Sequence, residues 1–342
     1  MKVIHFFAIT AMAAAMITSC SSEDELSQSN YPSDNIIRIT AGVNNAKTRA
    51  EGTGVSAMDK DFSLTIVNKN TESTELAKKY TYVDKVFSKT SGDWVCSETL
   101  LWQNATTPVD IVAFAPAKKD KFNGVYADGG IKPITYSIAD DQSTWSDNND
   151  LLYYYAPGFN PGESLVDKKL NIQFNHAFCM IDINVTLGTE FNKPDILEKS
   201  PITEVTLEGT KIKANVDVKN ATNIVTASEE ATAAKIITTK GSFDKAANAE
   251  AKAISRFSCI AIPQTVAANT FKVSLKTANK LYEWTYDKAV ELKSGHRYTL
   301  NLTMGDDVVL LKNGDITATP WGNGEGGTLE QTKEHELKIE QL

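Results

Sequence analysis

The chain has 342 residues, room for two domains of ordinary size, and hydrophobic residues make up 42%, enough to bury a core and exclude disorder throughout. With 35 basic against 43 acidic residues the formal charge is -8, and no Lys/Arg run stands against it. An acidic surface repels phosphate backbones, so no nucleic-acid partner is expected.

Lys2 supplies a positive start and Val3 to Ile17 a mostly apolar run, too short and wrongly flanked for a spanning helix. Residues 1–19 read as a cleavable signal peptide. Ile17-Thr18-Ser19-Cys20 resembles the bacterial lipobox, with Ile17 where leucine is commoner, and implies a lipid thioether on Cys20. Ser21-Ser22-Glu23-Asp24-Glu25 is similar to the acidic export signal of Bacteroidetes surface lipoproteins, which implies the outer face of the outer membrane. Residues 20–35 are polar and read as a tether.

Strand patterns then recur at short spacing. Ile37, Ile39, Ala41 and Val43 alternate with Arg38, Thr40 and Gly42, the period-2 signature of a half-buried strand. Phe62–Val67 alternates likewise, and Tyr80–Val83 and Trp94–Cys96 flank a Ser91-Gly92-Asp93 turn, predicting a hairpin. Val109–Ala115 is a mostly apolar run stopped by Pro116, as expected of a central strand. Ile134–Ile138 and Leu151–Tyr155 follow. Pro157–Glu163 is the densest interior turn cluster and predicts a domain boundary, dividing the chain into 36–160 and 161–321. The second half repeats the style, with strands expected at Leu170–Phe174, Phe178–Leu187, Ile202–Leu207, Lys211–Val218, Ile236–Thr239, Ile254–Ile262, Phe271–Leu275, Tyr282–Tyr286 and Arg297–Met304. Phe243–Lys252 is Ala-rich and predicts a short connector helix. The glycine-led, charged segment 322–342 reads as a flexible tail. Many short strands without crossover helices predict an all-β chain, most simply two sandwiches in tandem.

Catalytic signatures are scarce. No nucleophile elbow, zinc motif or phosphate loop occurs. His176 and Cys179 sit three apart, on opposite faces of any strand, and so do not predict a nucleophile pair. Cys96, Cys179 and Cys259 lack metal spacing. Asp140, Asp141, Asp147 and Asp150 form an acidic loop whose spacing is not that of an EF-hand, and a solvated turn is the plainer reading. The expectation is a non-enzyme with no cofactor and no metal.

Several segments together resemble the fimbrillin and fimbrillin-like family, pilin subunits of Bacteroidetes. Ile39 to Ala50, ending Lys47-Thr48-Arg49-Ala50, is similar to the family's first strand and its processing site. Trp94, Trp102 and Val109–Pro116, Asp150-Leu151-Leu152-Tyr153, Phe174–Ile181, and Gly295–Leu302 followed by Ile316–Trp321 resemble its remaining stretches in order. The resemblance implies two tandem transthyretin-like β-sandwiches and assembly with other fimbrillin subunits by strand exchange. Cleavage between Arg49 and Ala50 would free the strand carrying Ile37, Ile39, Ala41 and Val43, and a strand from the next subunit would replace it. It also implies a fimbrial adhesion role with a surface receptor. The competing reading is a non-polymerising surface lipoprotein that binds glycans, with Trp145 and Tyr153–Tyr155 as stacking candidates. Leu337, Ile339 and Leu342 are the few apolar residues the tail could offer as a donor.

Overall fold

A computed structural model describes residues 30–44, 55–117, 121–305, 309–311 and 316–321. The signal peptide, Cys20, Arg49, Ala50 and the tail 322–342 lie outside the described residues. The described chain is all-β: helices are confined to Thr74–Lys79, Pro161–Ser164 and three short 3-10 turns.

An eight-stranded sheet runs, in spatial order, Val55–Ala57, Ile39–Asn44, Leu170–His176, Leu152–Phe159, Val109–Ala115, Phe62–Asn68, Tyr82–Thr90 and Asp93–Cys96. Ile39–Asn44, the lead strand, lies parallel to Leu170–His176, from Ile39↔Leu170 to Val43↔Phe174. One face of this sheet buries Ile37, Ile39, Phe62, Leu64, Ile66, Phe87, Ile111, Leu170, Ile172 and Phe174 in a common core. Phe62 is its hub, with ring centroids 5.4 Å from Phe87 and Phe174 and 4.9 Å from Trp94. The predicted hairpin is present, with Thr90↔Asp93 closing it and Gly92 at φ +96. A left-handed turn position of this kind favours glycine.

A second core is built around Cys179–Leu187, whose residues alternate strictly between buried and half-buried. This strand pairs antiparallel with Ile254–Ala261 and parallel with His296–Met304. A four-stranded sheet, Ala233–Ile237, Glu204–Lys211, Lys272–Lys276 and Leu281–Thr285, contributes Leu207, Ile236, Val273 and Leu275 to the same core.

Two expectations meet a different arrangement. The boundary read at 157–163 falls inside the first unit, because Leu170–His176 returns to pair with the lead strand and, at Leu152↔His176 and Tyr153↔Asn175, with Leu152–Phe159. The turn residues there form a strand end and the short helix Pro161–Ser164, capped by Asn160 onto the Gly162 N–H at 3.1 Å. Turn chemistry marks a local reversal and does not say whether the next strand rejoins the same sheet. Strand pairing shifts from the first sheet to the second across Ala177 and Phe178, although Ile134–Ser137 already pairs with Lys213–Val216. The predicted helix at Phe243–Lys252 is absent: Phe243 and Asp244 end a strand against Ser255 and Ile254, and Asn248 then accepts the N–H groups of Glu250 and Ala251. A competing Asn turn overrides the alanines' weak helical preference.

Candidate functional site

The lead strand sits in a groove with a paired backbone on each side. Before the strand proper, Ile36 bridges Leu101, the Ile37 N–H donates to Leu100 O (2.9 Å), and the Trp102 N–H donates to Asn35 O (2.8 Å). On the opposite edge the Leu170 N–H donates to Arg38 O (2.8 Å) and the parallel ladder follows. Val55–Ala57 then pairs with Gly42–Asn44. The alternation in sequence is the alternation in space except at Gly42, which is buried where the pattern expects an outward position. Ile37, Ile39 and Val43 are buried at 6%, 5% and 8% exposure, Ala41 is half-buried, and Arg38, Thr40 and Asn44 face solvent.

The outward face is tied by polar contacts. Thr40 Oγ1 donates to Asn171 Oδ1 (3.2 Å) and Asn44 Nδ2 to Asn175 Oδ1 (2.9 Å), which fixes register. Arg38 donates through both terminal nitrogens to Asp34, at 3.0 and 2.6 Å. Asp34 also accepts the Ile36 N–H. Hydrogen bonding by the Arg38 guanidinium, then by that N–H, holds the Asp34 carboxyl at about 2.

The arginines of the chain are Arg38, Arg49, Arg256 and Arg297. Arg38 heads the lead strand, Arg256 lies in Ile254–Ala261 with Asp244 at 2.6 Å, and Arg297 lies in His296–Met304 paired to Asp182. Three of them are thus held in hydrogen-bonded backbone. Arg49 is outside the described residues.

The other sequence candidates are dispersed. His176 Nδ1 lies 2.9 Å from Asp150 Oδ1, and its ring stacks on Trp321 at 3.8 Å and 5°. Cys179 instead donates its thiol to Ala261 O (3.2 Å). Cys179 and Cys259 are free thiols on adjacent strands, offset by two positions in the Ile181↔Cys259 register, and burial pushes both thiols up. His296 Nδ1 contacts Ser294 O. In the acidic loop, Asp147 pairs with Lys60 (3.1 Å), Asp150 with His176, and Asp141 accepts the Ser143 N–H (2.9 Å). Among the described residues no cluster of three or more His, Cys, Asp or Glu is placed to hold a metal ion. Trp145 is 41% exposed with its indole N–H on Asp147 (3.0 Å). Sequence reasoning missed the Asp150–His176–Trp321 cluster, whose members are far apart in the chain and carry no shared spacing.

The fold is similar to that of solved putative cell adhesion and fimbrial proteins of Bacteroides. A putative cell adhesion protein from Bacteroides ovatus is similar over 84% of this chain and 97% of its own, at 15% identity and TM-score 0.57. A putative cell adhesion protein from Bacteroides uniformis covers 85% and 99% at 13% identity and 0.54, and a fimbrial protein from Bacteroides vulgatus 84% and 99% at 15% and 0.52. No curated protein matches the chain. Residues 48–321 match the model of the fimbrillin-like family, and the chain belongs to that family.

Proposed function

We propose that the chain is a fimbrial subunit, made as an outer-membrane lipoprotein anchored through Cys20 and assembled by protease-triggered strand exchange in cell adhesion. The observation that carries this reading is the lead strand: a contiguous segment, joined to the fold at one end by residues 45–54, fills a groove between two backbone edges. If the chain is cut after Arg49, Ile37, Ile39, Ala41 and Val43 are held by non-covalent contacts alone. An emptied groove exposes apolar surface and unpaired amides at about 1–3 kcal/mol for each buried group, so it demands a replacement strand. A head-to-tail contact of this kind does not close on itself and propagates as a filament. The placing of Arg256 and Arg297 in paired strands, and of Arg38 in hydrogen-bonded backbone just before one, supports Arg49 as the cleaved residue. The tail supplies a matching pattern: Glu334, Leu337, Lys338 and Ile339 repeat Asp34, Ile37, Arg38 and Ile39 at the same spacing. A second copy of this chain is therefore a fitting donor.

The test is digestion with an Arg-specific protease. Ala50 as the new N-terminus followed by SDS-resistant ladders supports the reading; a cleanly cut protein that stays monomeric overturns it. The exposed, hydrogen-bonded indole of Trp145 favours a second reading, glycan binding without polymerisation, which predicts oligosaccharide binding lost in Trp145→Ala.

A further inference from the structure

A groove of about 700 Å³ opens on the second core, away from the lead strand. One wall is the short strand Val225–Ala227, which among the described residues pairs on its inner side alone, with Lys213–Val216. The Asp217 N–H donates to Ile224 O (2.7 Å) and the Ser228 N–H to Lys213 O (2.8 Å). With Asn215 opposite Thr226, residues 224, 226 and 228 turn their main-chain groups inward. Val225 and Ala227 therefore turn theirs outward, in the alternation of an antiparallel ladder.

The facing wall is preformed. The Tyr298 hydroxyl donates to Glu291 O and accepts the Lys293 N–H, both at 2.8 Å, and Glu291 and Lys293 pair at 3.1 Å. The Gln264 carboxamide accepts the Lys211 N–H and donates to Lys211 O and Ile262 O, so both its donors are taken. No aromatic side chain lines the groove to stack a sugar, and its ion pair is neutral as a unit. What remains on offer is an open main-chain edge, which recognises an extended peptide.

One such peptide starts at the groove's end. Ser294 lines the groove, and the next residue, Gly295, accepts the Trp321 N–H at 2.6 Å. Trp321 is fixed by its stack on His176, so the segment that follows departs from a rigid point beside the site. Gly322, Gly324, Gly326 and Gly327 permit a reversal, and Thr328-Leu329-Glu330-Gln331-Thr332 is the first stretch beyond them free of glycine and proline, with a strand-favouring threonine at each end. Five residues extend about 17 Å, more than the three residues of the edge need, and the glycine run can span about 20 Å.

We propose that Thr328–Thr332 adds as a strand to the open edge of Val225–Ala227 in its own chain, holding the tail against the subunit. The inference is independent of strand exchange at the lead strand and is read in the uncut protein. Amide hydrogen exchange in residues 221–228 is compared between the full chain and a chain ending at Trp321. Exchange of the Val225 and Ala227 amides is expected to be at least about tenfold faster in the shortened chain. Equal rates overturn the proposal. Should the shortened chain fail to fold, the full-length double variant Glu330→Pro/Gln331→Pro carries the test, since adjacent N–H groups point to opposite sides and one ladder donor is lost in either register. It is expected to show the same acceleration, and unchanged rates overturn the proposal. Protection that falls on tenfold dilution assigns the tail to another copy and also overturns it.

Discussion

Shaving Ile39 to alanine tests how firmly the lead strand is held. Ile39 is 5% exposed and packs in the first core with Ile37 and Val43. Burying three aliphatic side chains stabilises by about 1.5–3 kcal/mol each, so apolar contacts alone hold a cut strand by roughly 5–9 kcal/mol. Ile39→Ala removes about 3 kcal/mol of this, the middle of the range for such truncations, which is roughly 100-fold in affinity. The assay cuts the chain after Arg49 and adds an equimolar labelled peptide of residues 30–49 with the unaltered sequence. The unaltered protein exchanges to one half at equilibrium. The variant, at a 100-fold ratio, exchanges to about nine-tenths. Thr40→Ala, on the solvent face, serves as control and stays within about 0.5 kcal/mol of the unaltered strand. A variant that exchanges no further than the control refutes the claim that buried side chains hold this strand.

Native digestion with an Arg-specific protease is expected to cut at Arg49 while Arg38, Arg256 and Arg297 survive, which peptide mass mapping reads directly; early cutting at Arg256 or Arg297 contradicts their shielding. Acid should loosen the lead strand: the Asp34 carboxyl is held at about 2 against an ordinary 3.8, so its pairing with Arg38 contributes fully above 3.8 and is lost as the pH falls through about 2. Unfolding midpoints followed from pH 5 to 2 should lose that part of their slope in Asp34→Asn. His176→Ala leaves the Asp150 carboxylate, 5% exposed, without its ring partner and strips the stack from Trp321. The expected cost is about 1–3 kcal/mol in denaturant unfolding, with altered Trp fluorescence; stability unchanged within 0.5 kcal/mol denies the cluster a structural role.

Faces were legible in the sequence and neighbours were not. The period-2 run from Ile37 to Val43 announces which side chains are buried, because a half-buried strand must alternate. It carries no information on the partner, Leu170–His176, which is 131 residues away in register and parallel to it. The same limit applies at Pro157–Glu163, where composition marks a turn but the destination of the next strand is decided by distant pairing. Phe243–Lys252 fails for a different reason: alanine's preference is a few tenths of a kcal/mol per residue, and one well-placed Asn side chain outweighs it. Asp150, His176 and Trp321 each sit in a recognisable stretch, yet only folding makes them a cluster.

The one-sided pairing of Leu170–Phe174 constrains the order of events in any strand replacement. Among the described residues its ladder lies wholly on the lead-strand side, since Leu152–Phe159 meets only Asn175 and His176. An empty groove would therefore leave this segment without a neighbour on either edge, and it would unravel toward Ala177, where the chain passes to the second core. A vacate-then-fill route must cross that melted state. A route in which the newcomer invades one end and peels the occupant residue by residue never exposes it. If the lead strand is exchanged, this pairing favours a travelling front over an open vacancy, and would tie the handover mechanically to the junction of the two cores.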